Sequence, residues 1–278
     1  METSQTPSGV SHRVRRRLVV YDGGQVDGNS LPRFGSLSSD CKQKCHCNGA
    51  SARYFEAPSV THLIWSTSGA HTKAVAPFGG KQGLFSPNPF AFAFPTTQFP
   101  VLVDTCASIT TVSMTRQKTA AGELFDHPWL LDADGRPTRD PSVMERPTER
   151  GSLMLLGGAE SGHKGFGLAL MVEALTQGLS GFGRRDAPTR WGANVYLQLI
   201  DPDAFAGRAA ALEQMDFLAE QCHANEPIDP SNPVRLPGEQ ASRNIERHRR
   251  DGVPVSASTV ATLRHWAEKL GVSDSLLS

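Results

Sequence analysis

The sequence is short of several things. It has no excess of either charge: Lys plus Arg is 28 and Asp plus Glu is 28 in 278 residues. A strong global field toward nucleic acid or an anionic membrane is therefore absent. Aromatic residues are only 7%, and none interleave with Arg13 to Arg17 as a base-stacking surface would need. No apolar run approaches the roughly 20 residues of a membrane span, so the reading is no nucleic acid and no membrane. Five cysteines, Cys41, Cys45, Cys47, Cys106 and Cys222, show no disulfide-framework spacing and follow no signal peptide. Reduced thiols in a cytoplasmic protein are the simplest account. Cys41 to Cys47 lacks the second ligand pair of a closed zinc site, so no metal is expected. A Rossmann G-x-G-x-x-G is missing, and Gly157 to Gly162 is followed by His163-Lys164 instead of a Walker Lys-Ser/Thr.

What is present is glycine and proline. Gly at 26 and Pro at 19 make about a sixth of the chain, above the usual share of roughly 12%. The length suffices to bury a core. Charge is uneven: Arg13, Arg15, Arg16, Arg17, Arg33, Lys42 and Lys44 make the first fifty residues basic. Arg with Ser and Thr at the start has the composition of a transit peptide. Glu2 and the lack of an amphipathic repeat favour a solvated tail instead. Residues 1–45 show no periodicity of either kind, so they form a poorly ordered or unrelated segment ahead of one domain, 46–278.

The rest alternates short strands and helices without a regular βαβ rhythm. Ala52 to Ala57 reads as a helical turn or two. Leu63 to Trp65, Phe90 to Phe94, Val101 to Asp104 and Val195 to Ile200 read as strands, the second with one aromatic face. Asp134-Gly135 marks a turn, and Arg136 to Arg150 reads as an exposed loop. Leu168, Met171, Val172, Leu175 and Leu179 predict a helix that starts just after Gly165-Phe166-Gly167. Phe205 to Cys222, Ala241 to Arg250 and Ser258 to Leu270 predict three more, the last capped by Ser256 or Ser258.

Several segments could carry chemistry. Gly157 to Gly167 combines close backbone approach, a helix start and Lys164, which suits an anionic group or simply a packing turn. Asp104-Thr105-Cys106-Ala107-Ser108 puts an acid and small polar residues at a strand end. Pro87-Asn88-Pro89 fixes the backbone around one amide, either to aim it or as a rigid turn. Pro237-Gly238-Glu239 is a ligand contact or a helix start. His46 could serve as an acid–base residue, since imidazole titrates near neutral pH.

Taken in order, these pieces resemble the malate/L-lactate dehydrogenase family of the non-Rossmann type. The resemblance runs through His46-x-x-Gly49-Ala50, Ala76-Pro77-Phe78-Gly79-Gly80 and Ser86-Pro87-Asn88-Pro89-Phe90. It continues through Val103 to Ser108, Leu131-Asp132-Ala133-Asp134-Gly135-Arg136-Pro137-Thr138, Gly162 to Leu168 and Leu236 to Glu239. It implies an α+β fold (mixed α/β), with a largely antiparallel or mixed sheet flanked by helices. The family's usual N-terminal helical part is lacking here.

The resemblance implies NAD or NADP as cofactor, a small 2-hydroxy or 2-keto acid as substrate, and a homodimer. His46 matches a proton acceptor. Asp104, Thr105 and Cys106 would line the cofactor site, His163 and Lys164 would sit near its phosphates or ribose, and Pro237, Gly238 and Glu239 would close over it. Ser68 or His71 would match a further polar contact. The family's Asp-Ser-His-Gly motif and its nearby Arg have no counterpart: Ser11-His12 is followed by Arg13. The resemblance thus implies an NAD(P)-dependent oxidoreductase that interconverts a 2-hydroxy acid of the malate or lactate type and its 2-keto acid by hydride transfer; the alternative is a weak or inactive truncated relative acting as a nucleotide-binding or dimerisation subunit.

Overall fold

A computed structural model describes residues 19–21, 63–189 and 192–272. The basic start, the Cys41 to Cys47 segment, His46 and the turn expected at Ala52 to Ala57 lie outside the described residues, except for Val19–Tyr21.

The main sheet has five strands. In chain order they are β1 (Val19–Tyr21), β2 (Leu63–Ala70), β3 (Pro89–Phe94), β4 (Val101–Cys106) and, much later, a long strand over Ala193–Ile200. That late strand lies between β1 and β2, and β3 and β4 follow. Every ladder is antiparallel. Between β4 and the late strand come helix α1 (Val112–Ala121), the small strands β5 (Leu130–Leu131), β6 (Pro137–Thr138) and β7 (Ser152–Leu153), and helix α2 (Gly158–Glu173). The late strand is β8, and α3 (Arg208–Ala224), α4 (Glu239–Asp251) and α5 (Ala257–Leu270) complete the described elements. The fold is α+β, with a second antiparallel sheet in the order β6-β5-β7.

Local chemistry explains most of these elements. β3 alternates Phe with Ala, and the alanine face is the fully buried one: Ala91 and Ala93 pack with Leu102. The phenylalanines sit half-buried on the other face, where Phe92 meets Phe94. Thr111 caps α1 by accepting from the Met114 N–H, and Gly122 ends it in the left-handed conformation. Ser256 is the cap of α5 and accepts from the Thr259 N–H.

Two expectations change. Arg136 to Arg150 is not one exposed loop: Pro141, Val143 and Met144 are buried in a 3-10 turn, and the last two join the main core. That core gathers Val75, Phe85, Phe125, Leu130, Leu153 and Ala169 between the small sheet and α2. The glycine-rich run is not a loop before a helix either. It is the first half of α2, whose buried residues are Gly162, Gly165, Ala169 and Val172. Contact with the layer beneath outweighs the roughly 1 kcal/mol helix penalty of each glycine.

Candidate functional site

Strand register brings the sequence-predicted residues toward one end of the main sheet. Thr67 pairs with Phe90 and Pro89 with Cys106, so the C-terminal ends of β2 and β4 flank the start of β3. Ala70 pairs with Ala193, which brings the start of β8 to the same end. Ser68 lies there opposite Val195, and His71 follows directly after β2.

Asp104, Thr105 and Cys106 are the last residues of β4 before the chain leaves the sheet. Asp104 is exposed and has no hydrogen-bond partner among the described residues, yet lost hydration pushes its carboxyl above the usual carboxylate range. Cys106 is buried, with its thiol against the Ser108 carbonyl and hydroxyl, each at 3.3 Å. Burial pushes this thiol up, Asp104 adds to that, and the Ser108 bonds only partly oppose it. A thiolate-selective alkylating reagent near neutral pH is therefore expected to modify half-buried Cys222 well before Cys106. Peptide mapping of a labelling time course would show this, and equal labelling would contradict the burial of Cys106.

The chain then runs against α2. The Ala107 carbonyl accepts from the Leu156 N–H at 2.8 Å, and a methyl on Gly165 would lie 3.0 Å from that carbonyl. Lys164 and His163 precede this contact in α2 and are exposed. Lys164 has no ion-pair or hydrogen-bond partner among the described residues. The His163 ring meets the edge of Phe78, which rests over Gly162. Near the head of α2, Phe78, Gly79, Lys81, Asp134 and Gly158 line an open pocket of about 440 Å³. It joins three of the sequence motifs, but none of the candidate site residues lines it.

Pro237-Gly238-Glu239 is both a helix start and a sheet contact. The Leu102 N–H donates to the Pro237 carbonyl at 3.0 Å, on the outer edge of β4. Gly238 has φ +98°, and a Cβ there would stand 2.9 Å from the Leu102 Cβ, so both conformation and space call for glycine. Glu239 is engaged by His223 and lies 3.7 Å from Arg243.

Sequence reading marked Asn88 but missed the group it joins. Asn88 is fully buried, at φ +51°, and accepts from the Ser86 hydroxyl at 2.6 Å. Its amide donates to the Ala169 carbonyl at 3.2 Å and to Glu173 at 2.9 Å. Glu173 in turn accepts two bonds from Arg184, at 2.8 and 3.2 Å. The guanidinium also donates to the carbonyls of Ala70, His71 and Thr72. The Pro-Asn-Pro signature did announce an aimed amide, and its target is the core. Nothing in the sequence marks Arg184 as its second partner.

The described residues contain no cluster of three metal-ligating side chains and no helix long and apolar enough to cross a membrane.

The chain is 26% identical over 232 residues to an L-sulfolactate dehydrogenase of Methanothermobacter thermautotrophicus, covering 81% of this chain and 64% of that one. It is 30% identical to an L-lactate dehydrogenase of Cupriavidus necator, covering 92% and 77%. A solved dehydrogenase from Sinorhizobium meliloti superposes with a TM-score of 0.59 at 29% identity, covering 73% of this chain and 58% of that one. The chain thus spans less than two thirds of some of these relatives. The family model for malate/L-lactate dehydrogenase matches residues 41–264, which takes in β2 through most of α5. With the motifs and this match in agreement, the chain belongs to the malate/L-lactate dehydrogenase family.

Proposed function

We propose that this protein is an NAD- or NADP-dependent oxidoreductase that interconverts a 2-hydroxy acid of the malate or lactate type and its 2-keto acid. The observation that carries the reading is the sheet end itself. An acid on β4 and a lysine beside Gly165, both without a side-chain partner among the described residues, and an imidazole after β2 come from three separate elements that meet the chain near it. This donor set suits a dinucleotide: Lys164 for phosphate charge, Asp104 for ribose hydroxyls, and backbone at Thr105 and Cys106 for close approach.

When bound, the nicotinamide supplies the hydride acceptor. The chain's residues do the rest. Asp104, Thr105 and Cys106 line the dinucleotide, His163 and Lys164 face its phosphates or ribose, and Pro237, Gly238 and Glu239 close the outer edge. Ser68 or His71 adds a polar contact. His46 takes the hydroxyl proton as negative charge develops on the substrate oxygen. The working form is a cytoplasmic homodimer. In support, α3 and α4 bury no residue, and Phe217, Leu218 and Ile245 are left exposed on them. A second copy would cover such a face.

The alternative is a nucleotide-binding or dimerisation subunit without turnover. NADH and NADPH fluorescence titration, paired with turnover of malate, lactate and sulfolactate, separates the two. The enzyme reading expects binding and steady turnover at about 1 per second or faster. Binding without turnover gives the alternative, and no binding of either nucleotide overturns both.

A further inference from the structure

We propose that Arg184 is a positioning residue for His71, fixing the strand end that carries the imidazole and leaving the ring's Nε2 as its ligand-facing nitrogen. The inference rests on the reading of this sheet end as the dinucleotide site. Its geometry stands without that reading.

Arg184 bonds three consecutive carbonyls, those of Ala70, His71 and Thr72, just where β2 ends. A strand end normally frays, because its last carbonyls have no ladder partner. Here one planar guanidinium satisfies them together, while Glu173 holds it from the other side at 2.8 Å. Both side chains are largely buried, so the pair is shielded from competing water. Asn88 extends the tie to the start of β3, and Gln177 accepts from the Arg184 N–H at 2.9 Å. His71 is thereby locked to β3, α2 and the turn at Arg184–Asp186.

The ring has two unlike sides. Nδ1 is sealed from solvent and has no hydrogen-bond partner among the described residues. Phe182 packs edge-on against the ring. Nε2 faces Gly192, where even an added methyl would stand 3.7 Å away, and it has no partner among the described residues. Among the described residues, the charged groups facing His71 are Glu173 from α2, and Arg184 and Asp186 from the following turn. Burial, then Arg184, holds the imidazole below its ordinary titration range, and Glu173 and Asp186 oppose this. Protonation would also place an N–H at Nδ1 with no acceptor. His71 therefore meets a ligand as a neutral ring.

The test uses the full chain and needs no turnover. His71 imidazole resonances are assigned by their loss in His71→Asn and followed through a pH titration in the wild type, Arg184→Gln, Arg184→Lys and Glu173→Gln. The proposal expects the midpoint to rise in Arg184→Gln, to fall in Glu173→Gln and to stay near wild type in Arg184→Lys. A purely structural role would not give opposite directions. In parallel, NADH binding is expected to weaken by about tenfold in Arg184→Gln, roughly 1.4 kcal/mol, with Arg184→Lys recovering part of the loss. If Arg184→Gln fails to fold, isosteric Glu173→Gln still decides by the direction of its shift. Unmoved midpoints in folded Arg184→Gln and Glu173→Gln overturn the proposal, as does unchanged NADH affinity in Arg184→Gln when the wild type binds. Failure of the wild type to bind NADH counts against the dinucleotide site alone, and the titrations still settle the positioning role.

Discussion

Gly165→Ala is expected to destabilise the protein by about 3 kcal/mol or more, at the upper end of overpacking costs. The added methyl would stand 2.6 Å from both the backbone N and the carbonyl O of Leu156, and 3.0 Å from the Ala107 carbonyl. These are backbone atoms on two segments, so no side chain can swing aside. α2 would have to lift from the chain that leaves β4. Against a total stability of about 5–15 kcal/mol this is a large share. Gly167→Ala is the control: it lies in the same helix and has nothing within 4 Å of its added methyl. There the change should stabilise by up to about 1 kcal/mol through helix propensity alone. Urea denaturation of the two variants beside the wild type compares them directly. A Gly165→Ala protein as stable as Gly167→Ala would remove the close contact from the account. Nucleotide affinity should fall in Gly165→Ala as well, because Lys164 is carried by the same turn.

The same glycine shows where sequence reading worked and where it did not. Large apolar residues recurring at helical spacing revealed that α2 exists. They did not reveal which face it buries. Its buried positions are Gly162, Gly165, Ala169 and Val172; of the apolar residues that predicted the helix only Val172 is among them, and Leu179 beyond its end is exposed. Pattern arguments weigh a residue by its apolar size, but a helix that approaches backbone closely needs its smallest residues at the contact. β3 repeats the lesson, since its phenylalanines drew attention and its alanines fill the core. The motifs of the site were legible because each is short and local. Their meeting was not: Glu173 and Arg184 are eleven residues apart with a π turn, Ala174–Gly178, between them, and in a continuous helix that spacing would hold them roughly 16 Å apart, so their contact depends on the chain turning back. The fold's antiparallel character was within reach of the resemblance, while the strand order β1-β8-β2-β3-β4 depends on long-range pairing that local patterns do not encode.

Asn88→Asp is the second change with a large expected effect, about 3–5 kcal/mol at neutral pH. The two side chains have the same shape, so no cavity or overlap arises, and the left-handed backbone at Asn88 tolerates aspartate nearly as well. What changes is hydrogen bonding and charge. The amide's two donated bonds, to the Ala169 carbonyl and to Glu173, are lost. A carboxylate replaces a donor that stands 2.9 Å from a Glu173 oxygen, in a fully buried position. Arg184 is already committed to Glu173 and cannot neutralise both. Lost hydration and the facing carboxylate both raise the new group's folded-state pKa above its unfolded value near 3.9. The folded state then binds more protons than the unfolded state between those two values. The penalty is thus fully present above the folded pKa and shrinks as pH falls toward the unfolded one. Once protonated, the introduced carboxyl would also restore one donor toward Glu173. Denaturation of both proteins across pH 4 to 8 should show the stability gap narrowing steadily on acidification. A gap that stays constant over that range would mean that lost hydrogen bonds, and not the opposed carboxylates, account for the cost.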